Sequence, residues 1–169
     1  MTWPSWNATW STANGGDPTL TPAEPPAQPL AVASATSIRL TGDLLAQMIE
    51  HARSTAPEEC CAICIGEPDT VRELHAVANV HETPVTRYQI GAADQLRVYR
   101  RAEEHGWDFT LVFHSHPATE AWPSTTDVAL ASWPDAVYAI LSLTGDEPVL
   151  RAYRIVDGEI TELTVAVAG

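Results

Sequence analysis

Two histidines one residue apart, a proline behind them and a Ser-x-x-Asp helix opening constrain this chain more than any other feature. They lie in His114-Ser-His116-Pro-Ala-Thr-Glu-Ala-Trp-Pro-Ser124-Thr-Thr-Asp127. The preceding Phe109-Thr-Leu-Val-Phe113 is a short apolar run of β-formers and reads as a buried strand. Side chains alternate across a strand, so His114 and His116 leave its end on the same face. Pro117 ends the strand and Ala118 to Pro123 form a loop. Ser124 is a natural N-cap, with Asp127 at the third helical position. A helix start there aims the Asp127 carboxylate back toward the strand end. A hydrolytic zinc site needs three protein ligands and one open position for water, whose pKa the metal lowers to about 7. His114, His116 and Asp127 supply three, for one Zn2+ per chain. A plainer reading treats Ser124 and Asp127 as a capping pair and the histidines as polar residues at a strand edge. The metal reading accounts for all of these residues at once.

In this stretch the chain resembles the JAMM/MPN+ zinc metalloproteases, whose signature is His-x-His-Pro, six residues, then Ser-x-x-Asp. The family also carries an upstream glutamate in a Pro-x-Glu-x-Cys-Gly context. Pro57-Glu58-Glu59-Cys60-Cys61-Ala62 is similar, with Ala62 in place of the glycine. The resemblance covers roughly residues 37 to 150. It implies a cytidine-deaminase-like α/β sandwich, with a mixed, curved β-sheet flanked by helices. It also implies that His114, His116 and Asp127 are the zinc ligands and that Glu59 is the general base. On the same grounds Ser124 hydrogen-bonds the tetrahedral oxyanion. Glu58 takes the place of Glu59 if the register is one residue off. Asn79 and Thr86-Arg87-Tyr88 are similar to residues beside the substrate channel of prokaryotic members; loop and edge-strand structure explains them equally well.

The loop from Ala118 to Pro123 is short and no long insertion appears elsewhere. The chain therefore looks like the compact prokaryotic members of the family. Those act after the Gly-Gly tail of a ubiquitin-like β-grasp sulfur-carrier protein, trimming a precursor or releasing a carried cysteine. The resemblance implies such a carrier as the substrate partner. Two other classes stay open. One is a catalytically inactive scaffold of the same fold, against which the intact ligand set argues. The other is a DNA-repair-associated JAMM-like protein sharing the same pattern.

Composition bears on that last class. The net charge is −13, with 9 basic residues, all arginine, against 22 acidic ones. Nucleic acid and anionic membrane surfaces both require a positive patch, so neither is expected as a partner. No apolar stretch approaches the about 18 residues of a membrane span, and the N-terminus lacks the pattern of a signal peptide. Cys60, Cys61 and Cys64 fall within one apparent buried strand, where thiols act as small hydrophobes. Three free thiols fit a reducing cytoplasm.

Residues 1–35 are rich in Pro, Thr, Ala and Ser and read as a tail, with residues 36–169 as the metalloprotease domain. Trp3, Trp6 and Trp10 are expected to dock on that domain or on a neighbouring chain, the latter making a homodimer. Within the domain, Ser37 to Leu40 begins the fold. Thr41 caps a helix whose apolar face is Leu44, Leu45, Met48, Ile49 and Ala52. Strands are expected near 60–66, 71–78, 107–113, 136–143, 148–155 and 159–167. A helix is expected from Ala92 to His105, and a short strand over Arg87-Tyr-Gln-Ile90.

Overall fold

In the computed structural model, which describes residues 36–169, the Thr41 hydroxyl accepts the Leu44 amide and so starts the first helix. Such a cap is typically worth about 1 kcal/mol. It separates β1 (Ser37–Thr41) from α1 (Gly42–Thr55). β2 (Cys61–Glu67) and β3 (Thr70–Val77) follow as a hairpin. Gly66 sits where the register shifts; a Cβ there would lie 2.2 Å from the Thr70 carbonyl oxygen. α2 (Ala92–His105) stops at Gly106, which adopts the left-handed conformation that glycine takes without strain. β4 (Asp108–His116), the short α3 (Thr125–Leu130), β5 (Val137–Ser142), β6 (Val149–Val156) and β7 (Glu159–Ala168) complete the chain. The tryptophans at positions 3, 6 and 10 lie outside the described residues.

The sheet runs β1-β3-β2-β4-β5-β6-β7, and parallel pairing of β1 with β7 closes it into a barrel. The join between β1 and β3 is a single register pair, Arg39 with Thr70. It is fastened by the Arg39 guanidinium on Asp69 at 2.7 Å. Strand alternation divides the core. Cys60, Ala62, Cys64, Leu111 and Phe113 pack with Leu44, Met48 and Ala52 of α1. Cys61, Ile63, Ile65, Val112 and Ile140 pack with Val98 and Ala102 of α2. All three cysteines are free and buried. Burial pushes the Cys60 thiol up to about 11 and the Cys61 thiol to about 12. They are packing residues with little thiolate character.

The expected strand over Arg87 to Ile90 does not form; only Ile90 makes one isolated bridge, with Asn79. The Asn79 side chain supplies what a ladder would have. Its Oδ1 accepts the His81 and Gln89 amides, and its Nδ2 donates to the carbonyls of Glu59 and Arg87. A side chain that satisfies the backbone removes the need for a neighbouring strand.

Candidate metal centre

β4 continues through His116, so the two histidines are the last residues of a buried strand and share its face. α3 starts as expected. Ser124 is the N-cap and forms a capping box with Asp127: Ser124 Oγ accepts the Asp127 amide, and Asp127 Oδ2 accepts the Ser124 amide at 2.7 Å. The plainer reading of Ser-x-x-Asp is thus correct as local structure. The same box turns the carboxylate toward the histidines. Asp127 Oδ1 lies 3.4 Å from His114 Nε2, and Oδ2 lies 3.5 Å from His116 Nε2. The two Nε2 atoms are 3.1 Å apart.

Three groups that offer lone pairs therefore converge on one point, and they could hold a metal ion. Four ligands at 2.0–2.1 Å in a tetrahedron stand about 3.3–3.4 Å apart. The 3.1 Å between the histidine nitrogens and the 3.4 Å and 3.5 Å to the carboxylate are near that value, each histidine facing a different oxygen of Asp127. His116 Nδ1 donates to the Glu120 carbonyl at 2.8 Å, which leaves its Nε2 lone pair facing the others. His114 is oriented differently. Its ring stacks on Tyr88 with centroids 4.3 Å apart, and among the described residues its Nδ1 has no hydrogen-bond partner.

Electrostatics follow from the burial. Desolvation holds the His114 imidazole in its neutral form, against the pull of Asp127. His116 is raised: burial opposes its charge, but Asp127, the Glu120 carbonyl and Glu59 together outweigh it. Asp127 resists its own burial and stays well below the usual carboxylate range, because both histidines and Ser124 hydrogen-bond it.

Glu59 is buried in the turn before β2, while Glu58 is exposed. Desolvation pushes the Glu59 carboxyl up to about 7, with the His116 charge lowering it and Asp127 raising it. Its backbone is held by the Pro84 carbonyl and by Asn79 Nδ2. The Cys60 amide donates to Ser115 Oγ at 2.9 Å, and Ser115 N donates back to the Cys60 carbonyl. Ser115, the middle residue of His-x-His, thus ties the histidine strand to the residue after Glu59.

A groove of about 610 Å³ opens beside Asp127, the one donor of the three that lines it. Thr86, Arg87 and Tyr88 line it, facing Asp127, Leu130 and Trp133. Asn79 does not line it; its amide is spent on the backbone that carries Glu59 and Arg87. A second groove, of about 630 Å³ and lined by Tyr99, Trp107, Phe109 and Trp133, holds none of the donors. Size does not single out the site; the donor set does. Sequence reasoning missed Ser115, Leu130 and Trp133. Of these only Trp133 carried a signal, as a large aromatic beside a proline after a short helix.

Fold and donor set define a compact α/β domain of JAMM/MPN type. The family of prokaryotic homologs of the JAB domain matches residues 41–156, and the chain belongs to it. It is 40% identical over 130 residues to a CysO-cysteine peptidase of Mycobacterium tuberculosis, covering 76% of this chain and 89% of that protein. It is 33% identical to a desampylase of Haloferax volcanii, covering 79% and 99%. The solution structure of protein DSY2949 from Desulfitobacterium hafniense superposes with a TM-score of 0.71 at 30% identity, covering 78% of this chain and 92% of that one. The chain is accordingly a hydrolase of this family. No helix among the described residues is long and apolar enough to cross a membrane.

Proposed function

We propose that the chain is a zinc-dependent peptidase. It hydrolyses the bond after the C-terminal Gly-Gly of a ubiquitin-like sulfur-carrier protein. The observation that carries this is the convergence of His114, His116 and Asp127 beside a buried carboxylate. Two imidazoles and one carboxylate are a donor set zinc favours, and three protein ligands leave one position open. Zinc held there supplies Lewis acidity, which acidifies water to a pKa of about 7 and polarises a carbonyl.

The chain's own residues do the rest. Glu59, with its carboxyl pushed up to about 7, takes a proton from the attacking water. It then delivers that proton to the nitrogen of the leaving amine, so the carboxylate is regenerated. The Ser124 hydroxyl donates to Asp127 Oδ2 at 2.6 Å in the resting site. It exchanges that acceptor for the oxyanion as charge develops. Thr86, Arg87 and Tyr88 form one wall for an extended tail, with Asn79 fixing the backbone behind them. Glycines suit the residues next to the scissile carbonyl, because a backbone without side chains can approach the buried donors most closely.

The names of the relatives support a small-protein substrate. One is a CysO-cysteine peptidase, another a desampylase, and a third, 29% identical, a probable TtuB-protein conjugate cleaving protease of Thermus thermophilus. The test is mass spectrometry of a carrier extended past Gly-Gly or bearing a C-terminal cysteine, incubated with the zinc-loaded protein. Cleavage after the second glycine, blocked by a chelator, is the expected result. A carrier that emerges intact while an unrelated peptide is cut would overturn the substrate assignment.

A further inference from the structure

The loop from Pro117 to Pro123 is gripped at three consecutive carbonyls, each by a side chain from a different strand. Ser142 Oγ, at the end of β5, donates to the Thr119 carbonyl at 2.7 Å. His116 Nδ1, at the end of β4, donates to the Glu120 carbonyl at 2.8 Å. The Tyr153 hydroxyl, from β6, donates to the Ala121 carbonyl. Ser142 and Tyr153 are buried, and neither side chain hydrogen-bonds a donor of the metal centre; Ser142 is also the β5 register partner of His116, whose carbonyl accepts the Leu143 amide.

We propose that Ser142 and Tyr153 are positioning residues for His116, acting through the backbone of the loop. The inference rests on reading His114, His116 and Asp127 as zinc ligands. A histidine ring has a broad χ2 well, so packing alone does not fix its rotation. The Nδ1–H bond to Glu120 fixes both the rotation and the tautomer, and leaves the Nε2 lone pair on the metal side. That bond is only as well placed as the Glu120 carbonyl. Each peptide unit is planar, so holding the carbonyls at 119 and 121 fixes the two units that flank the 120–121 unit and narrows the φ/ψ pairs that aim the Glu120 carbonyl. The outer side of the loop is stacked as well. Trp122 meets the Tyr153 ring edge-on at 5.4 Å, and the Arg151 guanidinium lies 5.7 Å from both ring centroids. Arg151 is in turn held by Glu162 at 2.6 Å. His114 lacks a comparable tether, since its Nδ1 is unpartnered among the described residues. Hydrogen-bonded orientation of the imidazoles therefore falls on the His116 branch.

The test uses the full chain and two readouts. Tyr153→Phe and Ser142→Ala remove one hydroxyl each and keep the packing. Zinc affinity, measured by competition with a chelating dye, is expected to fall about tenfold in each, the lower end of the range for groups that orient a ligand. The double variant should lose less than the product of the two. Thr110→Val is the control; it removes a buried hydroxyl bond, to the Glu67 carbonyl, at the far end of β4. It should leave zinc affinity unchanged whatever it does to the melting temperature. The second readout is the nitrogen-15 spectrum of the neutral His116 ring in metal-free protein. It should show the Nδ1–H tautomer in the wild type and a mixture in the variants. Unchanged affinity with an unchanged tautomer in both variants would overturn the proposal, as would an equal loss in Thr110→Val. If the wild type binds no zinc, the metal reading fails, and the tautomer result alone decides whether the loop positions His116.

Discussion

The β2–β4 strand pair has one sealed face and one open face, built from nearly the same residue types. On the sealed face, Ala62, Cys64, Leu111 and Phe113 are covered by Leu44, Met48 and Ala52 of α1. The one polar group at its upper end, Ser115 Oγ, is used internally to accept the Cys60 amide. On the other face, Val98 and Ala102 of α2 cover Ile63, Ile65 and Val112. His114 and His116 lie beyond them at the strand end, with the His114 ring stacked on Tyr88. The apolar content of the two faces is alike; what differs is the strand end, where Ser115 on the sealed face is used internally and His114 and His116 on the other face meet Asp127. The placement of the site is borrowed from the sealed side, because Ser115 joins the histidine strand to the segment carrying Glu59.

Substitutions on the two faces should therefore separate activity from stability. The largest effect is expected from Glu59→Gln on the open face. It should retain zinc and fold yet lose about 10²–10⁴-fold in kcat, the usual worth of general-base assistance. Glu58→Gln, at the exposed neighbour, should be near normal, and steady-state kinetics with metal analysis checks both. On the sealed face, Phe113→Ala should cost about 3–5 kcal/mol in urea unfolding, since it empties a fully buried site. An equal loss from a conservative change at Glu59 would erase the contrast between the faces.

A smaller effect sharpens it. The folded Glu59 carboxyl is raised from 4.5 to about 7, mainly by desolvation. Its ionisation therefore opposes folding in the metal-free chain. The associated stability is full below about 4.5 and is lost as pH rises through about 7. Metal-free Glu59→Gln should consequently be more stable than the wild type above neutral pH, by roughly 1–3 kcal/mol. The difference should vanish in mild acid, and denaturant unfolding across pH measures it. The smallest effect is expected at the groove wall. Arg87 makes no side-chain ion pair among the described residues and is exposed. Arg87→Ala should raise KM about fivefold, the worth of one exposed charge contact near 1 kcal/mol, with kcat nearly unchanged.

The convergence of His114, His116 and Asp127 was legible because the three are close in sequence and each is announced by a local rule. Strand alternation placed both histidines on one face, and the capping box placed Asp127 opposite them. The bounds of α2 were legible for a similar reason, since Gly106 marks its end. Closure of the sheet was not. β1 pairs with β7 across most of the chain, Ser37 with Thr164, and no periodicity carries that information. The strand expected over Arg87 to Ile90 had the alternation of one, but Asn79 took over its backbone hydrogen bonds. The grip of Ser142 and Tyr153 on the loop was invisible because its acceptors are backbone carbonyls, which leave no trace in residue type.

The decisive measurement is the zinc content of the purified chain, by elemental mass spectrometry, beside Asp127→Ala. The wild type should carry one zinc per chain. The variant should carry essentially none, because a site reduced to two histidines is too weak to survive purification. A wild-type chain that carries no zinc and takes up none when it is supplied would contradict the zinc assignment. So would an Asp127→Ala variant that keeps its full complement of metal.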